Sequence, residues 1–163
     1  AEAEIALLRA GKAESPMIDT LAARARLAQG DAEGALALLR SALARYPHRR
    51  SVLYETLDVL QGLGRYDRVL ATVAEPVRLY PREPRLYETR ARAYAGLGKR
   101  LLQHEAQAEV YVLQGNLPGA IEQLQFAQGA GDGNFYELSA VDARLKELRA
   151  EHAREMKEGR KPF

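Results

Sequence analysis

No cysteine occurs among the 163 residues, and no tryptophan. Without cysteine the chain has no disulfide, no thiolate metal site and no cysteine nucleophile, a condition that fits an exported protein as well as a cytosolic one. Histidine is scarce too, with only His48, His104 and His152. No apolar run approaches the roughly 18 residues that a membrane-spanning helix needs, and no signal peptide opens the chain. A large charge of one sign is also missing. The formal net charge is +2 and the pI about 8.9, too mild a balance to imply nucleic acid as a partner. What is present is a chain 47% apolar and 28% charged, enough for one folded domain with a core. It opens on "AEAEIALLRAG", already helical in pattern and without an initiating Met, which suggests a fragment of something longer.

The dominant signal is an internal repeat. Gly30, Gly64 and Gly98 follow one another at intervals of 34 residues, and Pro47 and Pro81 are also 34 apart. Around the period, "LAQGDAEGALALLRSALARYP", "LQGLGRYDRVLATVAEPVRLYP" and "YAGLGKR" each run an amphipathic helix into a glycine, and after the first two a second helix ends at a proline. The glycine allows a tight turn between antiparallel helices, and the proline stops the second helix. Ala35, Leu39 and Ala42 stand at i, i+4 and i+7, where one helix meets its partner, and Val69, Val73 and Pro76 take the same places one period on. Leu53, Leu57 and Leu60, then Tyr87, Ala91 and Tyr94, supply the facing helices.

These features resemble the tetratricopeptide repeat (TPR) family over nearly the whole chain. The family's usual Trp is absent, and its Leu-Gly pair is replaced by Ala22-Ala23, Thr56-Leu57 and Arg90-Ala91. The resemblance implies an all-α fold, a TPR-type α-solenoid in which antiparallel helix pairs stack into a right-handed superhelix with a C-terminal capping helix. As one domain over 1–157, the repeats fall at about 16–49, 50–83 and 84–114. An irregular half-repeat follows over 115–130, then a capping helix over 135–157 and a flexible tail over 158–163.

The half-repeat follows from Gly115, which comes 17 residues after Gly98, half a period. The helix ending there occupies a second-helix slot yet reads as a first helix, with Ala108, Tyr111, Gly115, Ala120 and Leu124 in a first-to-second-helix pattern, so one helix serves two repeats. At the other end Gly11 to Gly30 spans 19 residues, 15 short of a period. Either a helix is missing from the repeat or the chain skips a stretch near Lys12 to Ser15.

Catalytic patterns fail on spacing. His104-Glu105 opens like an HExxH zinc helix, but residue 108 is Ala, and the motif needs its second imidazole one turn on. His48 and His152 lie far off in sequence. "GAGDGN" (129–134) follows a helix and has no Lys-Ser/Thr ending, so it reads as a loop rather than a phosphate cradle. Ser41, Ser51 and Ser139 lack His or Asp signatures, and Asp31 and Glu33 sit where a helix N-terminus favours negative charge. Asn134 and Glu137 read as a capping box. The expectation is no enzyme, no metal and no cofactor in this chain, with His104 as a packing or hydrogen-bonding residue.

The run "LYETRARAYAGLGKRLLQHEAQAEVYVLQGNLPGAIEQLQFAQ", followed by "NFYELSAVDARLKELR", resembles the C-terminal TPR region of BepA-type periplasmic zinc metalloproteases over residues 86–149. The residues that carry it are His104, Ala108, Glu109, Gly115, Ala120, Ile121, Gln123, Leu124 and "DARLKELR" at 142–149. In that family an HExxH peptidase domain precedes the repeats, and the repeats contact the outer-membrane β-barrel assembly machinery. The resemblance therefore implies a periplasmic, partner- or substrate-recruiting arm. Its partners would be proteins, including its own N-terminal peptidase domain and outer-membrane assembly components. The alternative is a stand-alone scaffold or adaptor unconnected with a protease.

Two faces are candidates for a partner. Arg24, Tyr54, Asp58, Glu88 and Arg92 occupy positions that usually point into a TPR groove, where Arg24 or Arg92 can pair with a carboxylate. The asparagines of the family's chaperone-binding clamp are absent there. The second face rests on charge. Arg78 to Arg100 holds seven basic and two acidic residues, whereas Leu101 to Val141 holds no Lys or Arg and five acids. Gln103, Gln107, Glu109, Gln114 and Gln123 are the docking candidates on that lysine-free stretch. The alternatives are solvated groove charges, and neutralisation of one block by the other between stacked helices. Leu138, Val141, Leu145 and Leu148 give the last helix one apolar face.

Overall fold

The computed structural model describes residues 15–158, which hold eight α-helices and no strand. They are α1 (Pro16–Ala28), α2 (Ala32–Arg45), α3 (Arg50–Gly62), α4 (Tyr66–Leu79), α5 (Pro84–Gly96), α6 (Arg100–Leu113), α7 (Leu117–Gln128) and α8 (Phe135–Glu158). The expected irregularity near Lys12 to Ser15 lies outside the described residues save for Ser15, and the tail beyond Glu158 lies outside them altogether. The chain divides into two compact units, one ending at Arg65 and the other beginning at Tyr66.

Local chemistry explains where the helices begin. Ser15 caps α1 by accepting from the Met17 N–H, with Pro16 at the first helical position. Asp31 caps α2 by accepting from Gly34 N at 2.8 Å, and Asn116 caps α7 through Gly119 N at 3.0 Å. Before α8, Asn134 Oδ1 accepts from the N–H groups of Tyr136 and Glu137, while Glu137 Oε2 accepts from Asn134 N at 2.9 Å. This is the reciprocal capping box expected from the sequence.

The endings share one turn. After α1, α3, α5 and α6 the chain passes through Gly30, Gly64, Gly98 and Gly115, with φ of +81°, +67°, +70° and +73°. In each case the N–H of the next residue reaches back to a carbonyl five residues earlier, as Lys99 does to Tyr94 at 2.9 Å. That is a Schellman ending, which needs a residue in the left-handed region at little cost, hence the periodic glycine. The proline-marked endings differ: Pro47 and Pro81 follow Tyr46 and Tyr80, whose N–H groups close the last turns of α2 and α4.

In the first unit α1, α2 and α3 pack on one another. Ala35, Leu39 and Ala42 are fully buried, as their spacing requires, and so is Leu57. Asp19 is a buried acid, held by Arg45 at 2.7 Å. In the second unit each helix packs on the next, and α6 packs on α8 as well as on α5 and α7. A core of Leu101, Ala120, Leu124, Val141, Leu145 and Leu148 ties α6, α7 and α8 together, with Leu138 packed against it. Burying each leucine contributes about 2 kcal/mol relative to leaving it in water.

Candidate functional site

Each candidate side chain sits on a helix whose other side makes core, and this fixes where it can point. On α1, Arg24 is held by Glu55 of α3 through both ends of its fork, Nε to Oε1 at 2.7 Å and Nη2 to Oε2 at 2.5 Å. The hydrogen bond to Glu55 raises the Arg24 pKa, and Asp58, exposed on α3, adds to the same field. Tyr54 is half-buried beside Glu55. The first unit thus brings Arg24 and Asp58 together, with Arg24 already satisfied by a carboxylate of its own chain.

Glu88 and Arg92 belong to the second unit, one turn apart on α5. Arg92 is exposed and forms no hydrogen bond or ion pair among the described residues, which sets it apart from Arg24. Tyr87, on a different face of α5, donates its hydroxyl to the Pro81 carbonyl at 3.2 Å, so it fastens the helix start.

The docking candidates are dispersed. Gln103 and Gln107 are half-buried one turn apart on α6, and Gln114 is exposed as its C-terminal cap. Gln123 of α7 accepts from His104 Nδ1 at 2.8 Å, and the His104 ring lies 5.5 Å from that of Phe126. His104 therefore bonds and packs across α6 and α7. Glu109 is engaged on the side of α8, where Arg144 grips it. Of the repeat positions, Ala35 and Ala120 are fully buried.

One residue that carried no role in the sequence becomes conspicuous. Glu105 is half-buried on α6 and makes no hydrogen bond or ion pair among the described residues. Burial pushes its carboxyl above the usual range, Glu109 and Glu137 push it further, and Arg90 of α5 pulls against them. Tyr87 is raised as well, by burial first and by Glu109 second. Tyr87, Arg90, Glu105, Glu109, Glu137 and Arg144 thus form one electrostatic neighbourhood drawn from α5, α6 and α8. The missed signal was spacing. Arg24–Glu55, Glu33–Arg65 and Glu109–Arg144 are separated by 31, 32 and 35 residues, close to one repeat, so polar partners can be sought a period apart.

Among the described residues no group of three or more His, Cys, Asp or Glu side chains is placed to hold a metal ion. No described helix is long and apolar enough to cross a membrane.

Residues 26–93 match a tetratricopeptide repeat family model. The fold is an all-α TPR fold. MamA from Desulfovibrio magneticus RS-1 has a similar structure, with a TM-score of 0.55 and 20% identity, covering 86% of this chain and 78% of that one. At that identity the likeness is one of fold. A double mutant of MamA RS-1 aligns with a TM-score of 0.48 and 15% identity over 87% of this chain and 93% of that one. A thermophilic TPR protein of Thermus thermophilus aligns at 0.43 and 20% identity over 85% and 97%. No curated protein matches the sequence.

Proposed function

We propose that this chain is a protein-interaction module whose second unit receives a partner on the polar side of α5 and α6. The observation that carries this reading is Glu105. A half-buried carboxylate without an ion-pair partner among the described residues costs stability, and perturbed groups of this kind concentrate at functional sites. The TPR fold supplies the context, since its helix pairs present a continuous surface on which partners can lie. The test is a photo-crosslinking amino acid placed at position 105 or 92 of the full chain in its native host. A discrete adduct at either position, absent when the crosslinker stands at exposed Lys146, is expected; no adduct at either overturns the reading.

In its finer form the module is the recruiting arm of a periplasmic zinc metallopeptidase that acts in outer-membrane protein assembly. The likeness of residues 86–149 to BepA-type TPR regions supports it. Reading the coding DNA upstream of Ala1 tests it. An HExxH-bearing segment of peptidase size behind a signal peptide is expected, and Gln107→Lys with Gln114→Lys should then weaken association with that segment. Further repeats, or an initiator codon beside Ala1, would instead favour a stand-alone adaptor, which the TPR fold supports equally.

A further inference from the structure

The start of α8 presents two aromatic rings to solvent. Phe135 and Tyr136 are 77% and 82% exposed, the highest values among the large apolar side chains of the described residues. Neither belongs to the core that joins α6, α7 and α8, to which this helix first contributes at Leu138. The rings instead meet each other edge to face, with centroids 5.8 Å apart. The Tyr136 hydroxyl forms no hydrogen bond among the described residues. The capping box at this helix start works through the side chains of Asn134 and Glu137 and through backbone N–H groups, so the rings have no part in it. A contiguous pair of aromatics that holds nothing inside the fold is the kind of surface that interfaces use.

We infer that Phe135 and Tyr136 dock an arginine-bearing segment of a protein partner, an inference that rests on the reading of this chain as an interaction module. The charges around the pair select that occupant. From Leu101 to Ala143 the chain has no Lys or Arg, and the next cation, Arg144, is held by Glu109 and Glu147. Asp132, Glu137 and Asp142 flank the pair in sequence, and none of them forms an ion pair among the described residues. Asp132 accepts from the N–H groups of Arg100 and Leu101, Glu137 from that of Asn134, and Asp142 from the neutral amide of Gln128. Arg100 is the one cation whose field reaches Asp132, so the surroundings stay negative. An anion finds no donor here, because Asn134 Oδ1 already takes the Tyr136 and Glu137 N–H groups. Phe135, Ser139 and Asp142 stand at i, i+4 and i+7, so an aromatic ring, a small neutral residue and a carboxylate share one exposed face. Seven helical residues separate the ring from the carboxylate by about 10 Å. An extended peptide covers that span in about three residues, so arginines at i and i+3 match them. A guanidinium suits both ends, since its plane stacks on a ring and its fork fits a carboxylate.

The probe is a fluorescein-labelled Gly/Ser peptide with arginines at i and i+3, and its control carries citrulline at both places, which keeps the planar shape and removes the charge. Polarisation with the full chain at about 50 mM salt should show saturable binding of the arginine peptide that fades at higher salt. Phe135→Ala combined with Tyr136→Ala should weaken it at least about fivefold. Met156→Ala, which removes an exposed apolar side chain near the other end of α8, should leave it unchanged. Circular dichroism checks helicity, and Phe135→Leu with Tyr136→Leu, which removes the ring faces but keeps apolar bulk, replaces the alanine pair if that unfolds. Equal binding of the citrulline peptide, undiminished binding by the ring-deleted chain, or no binding at low salt overturns the inference. So does sedimentation in which the wild type self-associates and the ring-deleted chain does not, since the occupant would then be a second copy. Phosphatidylcholine vesicles that carry down the wild type and not the ring-deleted chain overturn it as well, because the rings would then enter a bilayer. A crosslinked adduct at position 105 or 92 without any peptide binding would sink this inference and leave the module reading standing. Peptide binding without an adduct at either position would overturn the α5–α6 face and leave the dock on α8.

Discussion

Arg144 of α8 grips Glu109 of α6 with two nitrogens, Nε to Oε1 at 2.7 Å and Nη2 to Oε2 at 2.9 Å, while its Nη1 reaches Glu147 at 2.7 Å. The hydrogen bond to Glu109 holds the guanidinium well above its ordinary pKa, so the charge is permanent. The contact fastens the last helix to one two positions earlier, alongside the apolar core that those helices share.

Both partners are partly exposed, so screening limits the gain from the pair to about 1 kcal/mol. Arg144→Ala should lower the urea midpoint by a corresponding amount, and Glu109→Gln should add little on top of it. A double-mutant cycle in low and high salt measures this. Fully additive losses would show that the two side chains merely lie close together.

Glu105 gives the opposite sign. Its folded pKa is raised, first by burial, so ionisation favours the unfolded chain. Above the folded pKa the full cost is present; as pH falls towards the ordinary value of about 4.3 it disappears. Glu105→Gln should therefore be more stable than the wild type at pH 7.5, with the difference vanishing near about pH 4. Urea titrations of the two proteins across that range provide the check, and a variant less stable at neutral pH would contradict the burial argument.

How far the sequence reached depends on the kind of interaction. Gly30, Gly64, Gly98 and Gly115 were legible because a backbone conformation leaves a residue type behind at a fixed period. Ala35, Leu39 and Val73 were legible because burial follows helical spacing. That Arg24 can pair with a carboxylate is legible in the sequence; which carboxylate is not, because a side chain's partner depends on which helix packs beside it, and in this chain Glu55 of α3 takes that place. Glu109 was grouped with glutamines by charge pattern alone, and Arg144, beyond the lysine-free stretch, could enter only once α8 was laid against α6.

Two glycines close together in sequence separate two physical causes. Gly98 has φ of +70° and open space around a would-be Cβ, so Gly98→Ala meets backbone strain alone and should cost about 1 kcal/mol. Gly96 lies inside α5 at an ordinary φ, but a Cβ there would collide with the ring of Tyr66. Gly96→Ala should cost about 1–3 kcal/mol by overpacking. Trimming the ring in a Tyr66→Ala background should recover part of the Gly96→Ala loss and none of the Gly98→Ala loss. Equal recovery in both would mean that the collision is not the cause.

Asp132 caps a helix to which it does not belong. From the loop between α7 and α8 its carboxylate accepts from Arg100 N at 2.5 Å and Leu101 N at 3.0 Å, two of the donors that the start of α6 leaves without intrahelical partners. Burial pushes its pKa up, but these backbone hydrogen bonds and the Arg100 charge outweigh it and leave the net value below the usual carboxylate range. A depressed folded pKa means stability present above the unfolded value and lost as pH falls through the folded one. Asp132→Ala should therefore speed hydrogen exchange at the Arg100 and Leu101 amides at neutral pH, and Asp132→Asn should restore part of the protection, because an amide oxygen still accepts. In the wild type the same protection should weaken only as pH drops below about 4. Slow exchange of both amides in Asp132→Ala would show that α6 begins without this cap, and that Leu101, buried at the same helix start, is enough to hold it.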